Sequence, residues 1–133
     1  MEMQELCFAC GKDNPIGLKL KFQELGDFYI AEFTPQILYQ GYPDILHGGI
    51  TATILDEAMG QYLFYKGLIA LTAELNVRFK KEIPVEKPIT ICAKIHNQRS
   101  RMIEMSAEIK LENGVIAAEA IGKFMIRTVS RKN

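Results

Sequence analysis

Apolar and polar residues alternate with period two along most of this chain, and one internal stretch departs from that rhythm. Leu18, Leu20 and Phe22 alternate with Lys19, Lys21 and Gln23, and Gly26-Asp27 then parts this run from Phe28-Tyr29-Ile30-Ala31-Glu32-Phe33. Two short runs separated by Gly-Asp predict a β-hairpin. Further along, Ala73, Leu75, Val77 and Phe79 alternate with Thr72, Glu74, Asn76, Arg78 and Lys80. Ile89 to Ile95 and Ile103 to Leu111 repeat the pattern, and a last strand is expected from Ile116 to Ile126. Pro84, Pro88, Asn97 to Ser100 and Asn113-Gly114 punctuate these runs as turns.

The exception is Gly49 to Lys66. Ala52, Leu55, Met59 and Leu63 recur there at three- and four-residue spacing, with Ile54, Ala58 and Tyr62 widening the apolar arc. This predicts one mostly buried helix about 27 Å long, with Lys66 in its last turn and Gly67 as its left-handed stop. Thr34 to Leu46, broken by Pro35, Gly41, Pro43 and Asp44, is expected to be a long loop and a candidate functional one. Six strands and one apolar helix bury their faces together if an antiparallel sheet curls around the helix, an α+β arrangement. Cys92 and Met102 fall in the outward phase of their strands, which suggests that a second copy of the chain covers part of the outer surface.

Composition narrows the class without naming the chemistry. The 133 residues fit one domain, 1–133, and the 16 basic and 16 acidic side chains cancel, so nothing in the overall charge points to nucleic acid or a membrane surface. No run approaches the roughly 18 apolar residues of a membrane span. The acidic first residues and the odd cysteine count, Cys7, Cys10 and Cys92, fit a reducing, cytoplasmic setting.

The chemistry concentrates at His47-Gly48-Gly49 and at Asp56-Glu57. Glycines opening a helix present bare backbone N–H groups to an oxyanion or phosphate, and a carboxylate two turns along is expected to point back toward the same region. On spacing alone, Gly48-Gly49 reads equally well as a tight loop-to-helix turn. Asp56 shares its stripe with Ala52, Met59, Gly60 and Leu63, whereas Glu57 shares one with Thr53 and Gln61. Glu57 is therefore expected to be the hydrated or hydrogen-bonded residue, and Asp56 the one in an apolar setting, either catalytic or paired with an Arg or a backbone amide. His47 is read as a structural hydrogen-bonder that fixes the loop presenting Gly48; His96 has no evident partner. Cys7-x-x-Cys10-Gly11 is half of a zinc knuckle with no second pair, so no metal is expected.

The order strand, strand, loop, His-Gly-Gly helix and four strands resembles the hotdog-fold acyl-CoA thioesterases of the phenylacetate-pathway, PaaI-like, group. The resemblance rests on Cys7-Phe-Ala-Cys10-Gly11, Asn14-Pro15-Ile16-Gly17-Leu18, Gly41 to Ile50, Leu55-Asp56-Glu57-Ala58 and Glu74 to Phe79. It implies hydrolysis of a thioester to a carboxylic acid and free coenzyme A, with no cofactor beyond the coenzyme A of the substrate. It also implies a homodimer whose site straddles the interface, pairing further into a homotetramer. Catalysis would fall to Asp56 as base or nucleophile, to the Gly48 N–H as carbonyl holder and to Thr72 as positioner of water or Asp56. Substrate binding would fall to His47, Gly49 and Gln40. Gly41 stands where many relatives carry Asn or Gln, and Gln40 lies one residue earlier. Arg78 and Lys80, with Lys81, Arg99 and Arg101, are candidates for a groove holding the coenzyme A phosphates, and Tyr39, Tyr42, Met59, Leu63 and Phe64 for an acyl pocket. The rival readings are an enoyl-CoA hydratase or dehydratase of the same fold and a non-catalytic acyl-CoA-binding regulator.

Overall fold

The computed structural model describes residues 5–129. Strands β1 (Gln23–Leu25) and β2 (Phe28–Phe33) are followed by a short 3-10 turn, Ile37–Tyr39, and the helix α1 (Gly48–Tyr65). Strands β3 (Leu68–Phe79), β4 (Ile89–Arg99), β5 (Met102–Lys110) and β6 (Ile116–Val129) complete the chain. The six strands form one antiparallel sheet in the order β1-β2-β4-β5-β6-β3, with α1 against its inner face, the α+β architecture expected from the pattern.

The hairpin turn falls where Gly26-Asp27 predicts it, with Leu25 opposite Phe28 and Gly26 at φ 61°. Its first strand is shorter than expected. Leu18 and Leu20 are buried, but their backbone N–H groups donate to the carbonyls of Phe8 and Ala9 at 2.8 and 2.9 Å. The alternation in Leu18 to Phe22 thus reflects a segment pinned beside the N-terminal lead-in, outside the main sheet. The other strands appear where expected, β3, β4 and β6 being longer, with Asn97 to Arg99 continuing β4 where a turn was expected, and Gly114 at φ 86° turns β5 into β6.

Helix α1 buries Thr51, Ile54, Leu55, Ala58, Met59, Tyr62 and Leu63. Thr51 is the buried residue of the first turn, while Ala52 is only half-buried. Small residues on the sheet, Ala93, Ala107, Ala118, Ala120 and Gly122, let the helix approach while Ile91, Met105, Ile109 and Phe124 fill the space between. Gly67 ends α1 at φ 92°, as a left-handed stop does. Near that end, Phe22, Tyr29 and Tyr62 stack with centroid spacings of 5.0 and 4.7 Å. The Tyr62 hydroxyl donates to Glu24 Oε2 at 2.7 Å, and Lys66 Nζ lies 2.6 Å from the same oxygen. The helix end is thereby tied to β1.

Two stability measurements follow. A Cβ at Gly122 would sit 2.8 Å from Phe124 Cε1 and 3.1 Å from Met59 Cε, both enclosed in the core. Gly122→Ala is therefore expected to cost about 1–3 kcal/mol in urea unfolding. The hydrogen bonds from Lys66, first, and Tyr62 hold the Glu24 carboxyl below the usual glutamate range. A depressed carboxyl adds stability above its unfolded value and loses it as pH falls through the folded one. Glu24→Gln should lower the unfolding midpoint at neutral pH, and the gap from the parent should close as the acid limb is crossed.

Candidate functional site

The loop ahead of α1 is held by its own backbone. Gly41 N–H donates to Ile45 O at 2.8 Å, His47 N–H to Tyr39 O at 2.9 Å and Leu46 N–H to Ile83 O at 2.8 Å. Gln40 Oε1 accepts from Asp44 N–H at 2.8 Å, so this side chain, expected at the substrate, is engaged in stapling the turn. Gly41 packs on His47: a Cβ there would lie 3.4 Å from the His47 Cα.

His47 caps the helix. Its backbone is extended (φ −60°, ψ 134°), and its Nδ1 accepts from the Gly49 N–H at 2.8 Å. This matches the structural role read from the sequence and explains Gly49, where a Cβ would crowd His47 Nδ1 at 3.1 Å. It also engages the Gly49 N–H within the chain. The Gly48 N–H has no acceptor among the described residues. It opens beside a depression of about 300 Å³ lined by Ile45, Leu46, Thr51, Phe79 and Lys80.

Asp56 lies on the same helix, and the Thr72 hydroxyl donates to its Oδ1 at 2.7 Å. Strict alternation puts Thr72 outward with Glu74. The structure instead has a bulge, because Thr72 pairs with Phe124 and Glu74 with the adjacent Lys123, leaving Ala73 as an extra residue. Before the bulge Ala70 and Thr72 share the helix side; after it Leu75 and Val77 do. The idea that Asp56 points back to Gly48 fails within one chain. Eight residues of helix separate the two by about 12 Å, and Asp56 does not line the depression beside Gly48.

Of the expected contrast between the two carboxylates, the hydrogen bond to Glu57 is present, from Cys7, but the difference in enclosure is reversed. Glu57 is the enclosed one: its Oε2 is buried with no hydrogen-bond partner among the described residues. Burial first, and then the Asp56 charge, raise its carboxyl above the usual range. What encloses it is the lead-in. Cys7 Sγ lies 4.0 Å from Glu57 Oε1, and Cys10 Sγ 3.9 Å from Gln61 Oε1. Burial and the neighbouring Glu57 push the Cys10 thiol well up. The apolar flanks of Asp56 along α1 gave no hint of this, because the lead-in covers the other stripe.

The basic candidates fall into two places. Lys80 borders the depression beside Gly48, but its Nζ lies 3.6 Å from Glu119 Oε2, and Glu119 lines a hollow on the outer sheet face together with Arg78, Asn76, Cys92 and His96. Arg101 Nη2 donates to Ile126 O at 2.7 Å and closes the sheet end instead. His96 finds Ser106, Nε2 to Oγ 2.7 Å. Of the acyl-pocket candidates, Met59 and Leu63 are fully enclosed in the core, and the Tyr39 hydroxyl donates to Gly17 O at 3.1 Å, so these three hold the fold. Strand β3 is an edge, paired with β6 alone among the described residues, and exposes Leu71 and Phe79.

Comparison with known proteins places this geometry. The family model described as the thioesterase superfamily matches residues 44–118. The Bos taurus acyl-coenzyme A thioesterase THEM4 is 31% identical over 87 residues, which are 65% of this chain and 35% of that protein, so the chain spans about a third of this curated relative. A solved thioesterase superfamily protein superposes with a TM-score of 0.86 at 26% identity, covering 91% of this chain and 60% of its own. The E. coli PaaI protein of the phenylacetic acid degradation operon shares the fold at a TM-score of 0.78 and 18% identity, covering 85% of this chain and 83% of its own. The curved antiparallel sheet around one helix is thus the hotdog fold. With the match running from the loop before α1 through Asp56 and Thr72 into β6, the chain belongs to the thioesterase superfamily.

Proposed function

We propose that the protein is an acyl-CoA thioesterase that acts as a homodimer, water and an acyl-CoA giving a carboxylic acid and free coenzyme A. The observation that carries this reading is the hydrogen bond from Thr72 to Asp56, which orients one carboxylate oxygen and leaves the other to meet water. Asp56 takes a proton from that water, and the hydroxide adds to the thioester carbon. The Gly48 N–H, supported by the dipole of α1, holds the oxyanion. Collapse expels the coenzyme A sulfur, which leaves as the thiol with the proton from Asp56. Nothing in this sequence asks for a metal or redox cofactor at the reacting carbon.

The distance between the two groups along α1 makes a second copy necessary. Strand β3 is an open edge with exposed apolar side chains, and edge-to-edge pairing with another β3 would cover it. In that dimer Asp56 of one protomer and Gly48 of the partner subunit share one crevice. Pairing of dimers over the outer sheet face around Cys92 and Met102 extends the same reading to a tetramer, in the cytoplasm, where the three thiols stay reduced. The name of the THEM4 relative supports coenzyme A thioesters as the substrate class. The acyl group is left to assay.

Asp56→Ala is expected to reduce thiol release from a panel of short, long and aromatic acyl-CoAs by at least about a hundredfold, with the unfolding midpoint kept. Unchanged turnover would discard the base, and acyl-CoA binding by the parent without thiol release would make the protein a binder. Gly48→Pro tests the amide. Proline suits the first helical position and the extended His47 before it, and a Cβ there meets the Phe79 ring at an ordinary 3.6 Å, so only the N–H is lost. Each variant alone should be inactive. Heterodimers of Asp56→Ala with Gly48→Pro should recover up to about half the parent activity, because one of two shared sites is then intact; recovery of none would place both groups in one chain.

A further inference from the structure

Outside that site, one cluster of side chains has a chemistry the proposed hydrolysis does not use. We propose that Cys7, Cys10 and Glu57 bind a divalent, thiophilic cation of the zinc class at the junction between the N-terminal lead-in and α1. On sequence alone, Cys7 and Cys10 offer only two ligands of four, and no metal is expected. The fold supplies the third: the two sulfurs and a carboxylate oxygen of Glu57 all lie within 4.8 Å of one another. Gln61, one turn further along α1, has its Oε1 3.9 Å from Cys10 Sγ and stands as the fourth donor, with water as the alternative.

Three features of the cluster point to a cation. The Cys7-x-x-Cys10-Gly11 turn is closed by the Gly11 N–H on Cys7 O at 2.8 Å. A Cβ at residue 11 would overlap the Glu5 carbonyl and the Cys7 amide, so this turn needs glycine, as a metal knuckle does. The buried, unpartnered Glu57 Oε2 is a desolvated acceptor that no described residue satisfies, and such an atom is costly unless a donor or cation meets it. The lead-in is also docked between the cysteines, by Leu18 and Leu20 on Phe8 and Ala9, and after them, by the Tyr39 hydroxyl on Gly17. Its sulfurs are therefore positioned before any ion arrives.

The spacing of the three donors is within reach of a four-coordinate site. Sulfurs at about 2.3 Å from zinc are about 3.8 Å apart, so the cluster needs to contract by about 1 Å at most. Two thiolates with one carboxylate and an amide or water oxygen suit zinc or cobalt(II) better than calcium or magnesium. On binding, the two thiol protons pass to solvent and the Glu57 carboxylate is bound as the anion. Neighbouring helix positions point about 100° apart, which turns the ion away from Asp56 and its substrate. Its role is to clamp residues 5–20 onto the middle of α1.

The test is a titration of the reduced, chelator-treated full chain with cobalt(II) alone. The expected result is a thiolate-to-cobalt charge-transfer band and the d–d bands of a tetrahedral ion, saturating at one equivalent per chain and displaced by zinc. Cys7→Ser, Cys10→Ser and Glu57→Gln should each weaken binding by at least about a hundredfold. Cys92→Ser, on the outer sheet face, should leave it unchanged. Glu57→Gln keeps the shape and both thiols, so it decides the matter if a cysteine variant does not fold. Absence of the charge-transfer band in the folded, reduced parent overturns the proposal. So does affinity that survives Glu57→Gln and Cys10→Ser, or binding abolished by Cys92→Ser. None of these readings depends on thioester hydrolysis, so either proposal can fail without the other.

Discussion

The structure depends on enclosing the wide apolar arc of one helix. Ile54, Leu55, Ala58, Met59 and Leu63 have essentially no exposure, and Tyr62 almost none. Side chains spread so widely around a helix cannot be covered by a flat surface. The antiparallel sheet meets this demand by curving, with alanines and Gly122 on its inner face where α1 comes close and with Phe124 and the isoleucines filling the margins. The Glu24, Tyr62 and Lys66 contacts secure one end of the helix and the His47 cap the other.

Burying the helix creates its chemistry. Its first amides have no partners within it, and the loop from Tyr39 to His47 is hydrogen-bonded so that the Gly49 N–H is consumed while the Gly48 N–H is left facing a depression. The two carboxylates in the middle of α1 then meet different neighbours. Asp56 faces a strand whose bulge turns a hydroxyl toward it; Glu57 faces two thiols from the lead-in. One turn of helix thus serves a catalytic reading on one side and a metal-binding reading on the other.

A single chain leaves part of this unfinished. The exposed edge of β3 and the length of α1 between Gly48 and Asp56 are two expressions of the same fact, that one sheet wraps one helix from one side only. In the proposed function a second copy closes the edge and supplies the missing half of the crevice, so that assembly and catalysis are joined.

Much of the fold was legible in the sequence because hydrophobic period is a local property. The periods of two and near 3.6 located five of the strands and the helix, Gly26-Asp27 and Asn113-Gly114 marked turns, and Gly67 marked the helix end. The family resemblance singled out Asp56, Gly48 and Thr72, and the His47 cap was readable from a histidine before two glycines. Tertiary structure decided what depends on partners distant in sequence. The alternation of Leu18 to Phe22 could not say that its neighbour is Phe8 and Ala9, nor could the period of β3 show the bulge that turns Thr72 inward. The enclosure of Glu57, expected to be hydrated or hydrogen-bonded, was not legible because helix neighbours are all that spacing reveals, whereas burial is set by whatever packs on top, here a segment some 50 residues away. Charge counting grouped Arg78 and Lys80 with Arg101, but only the first two come near one another, through Glu119, while Arg101 goes to the sheet end, since like residues in a sequence share a site only when the backbone brings them to one.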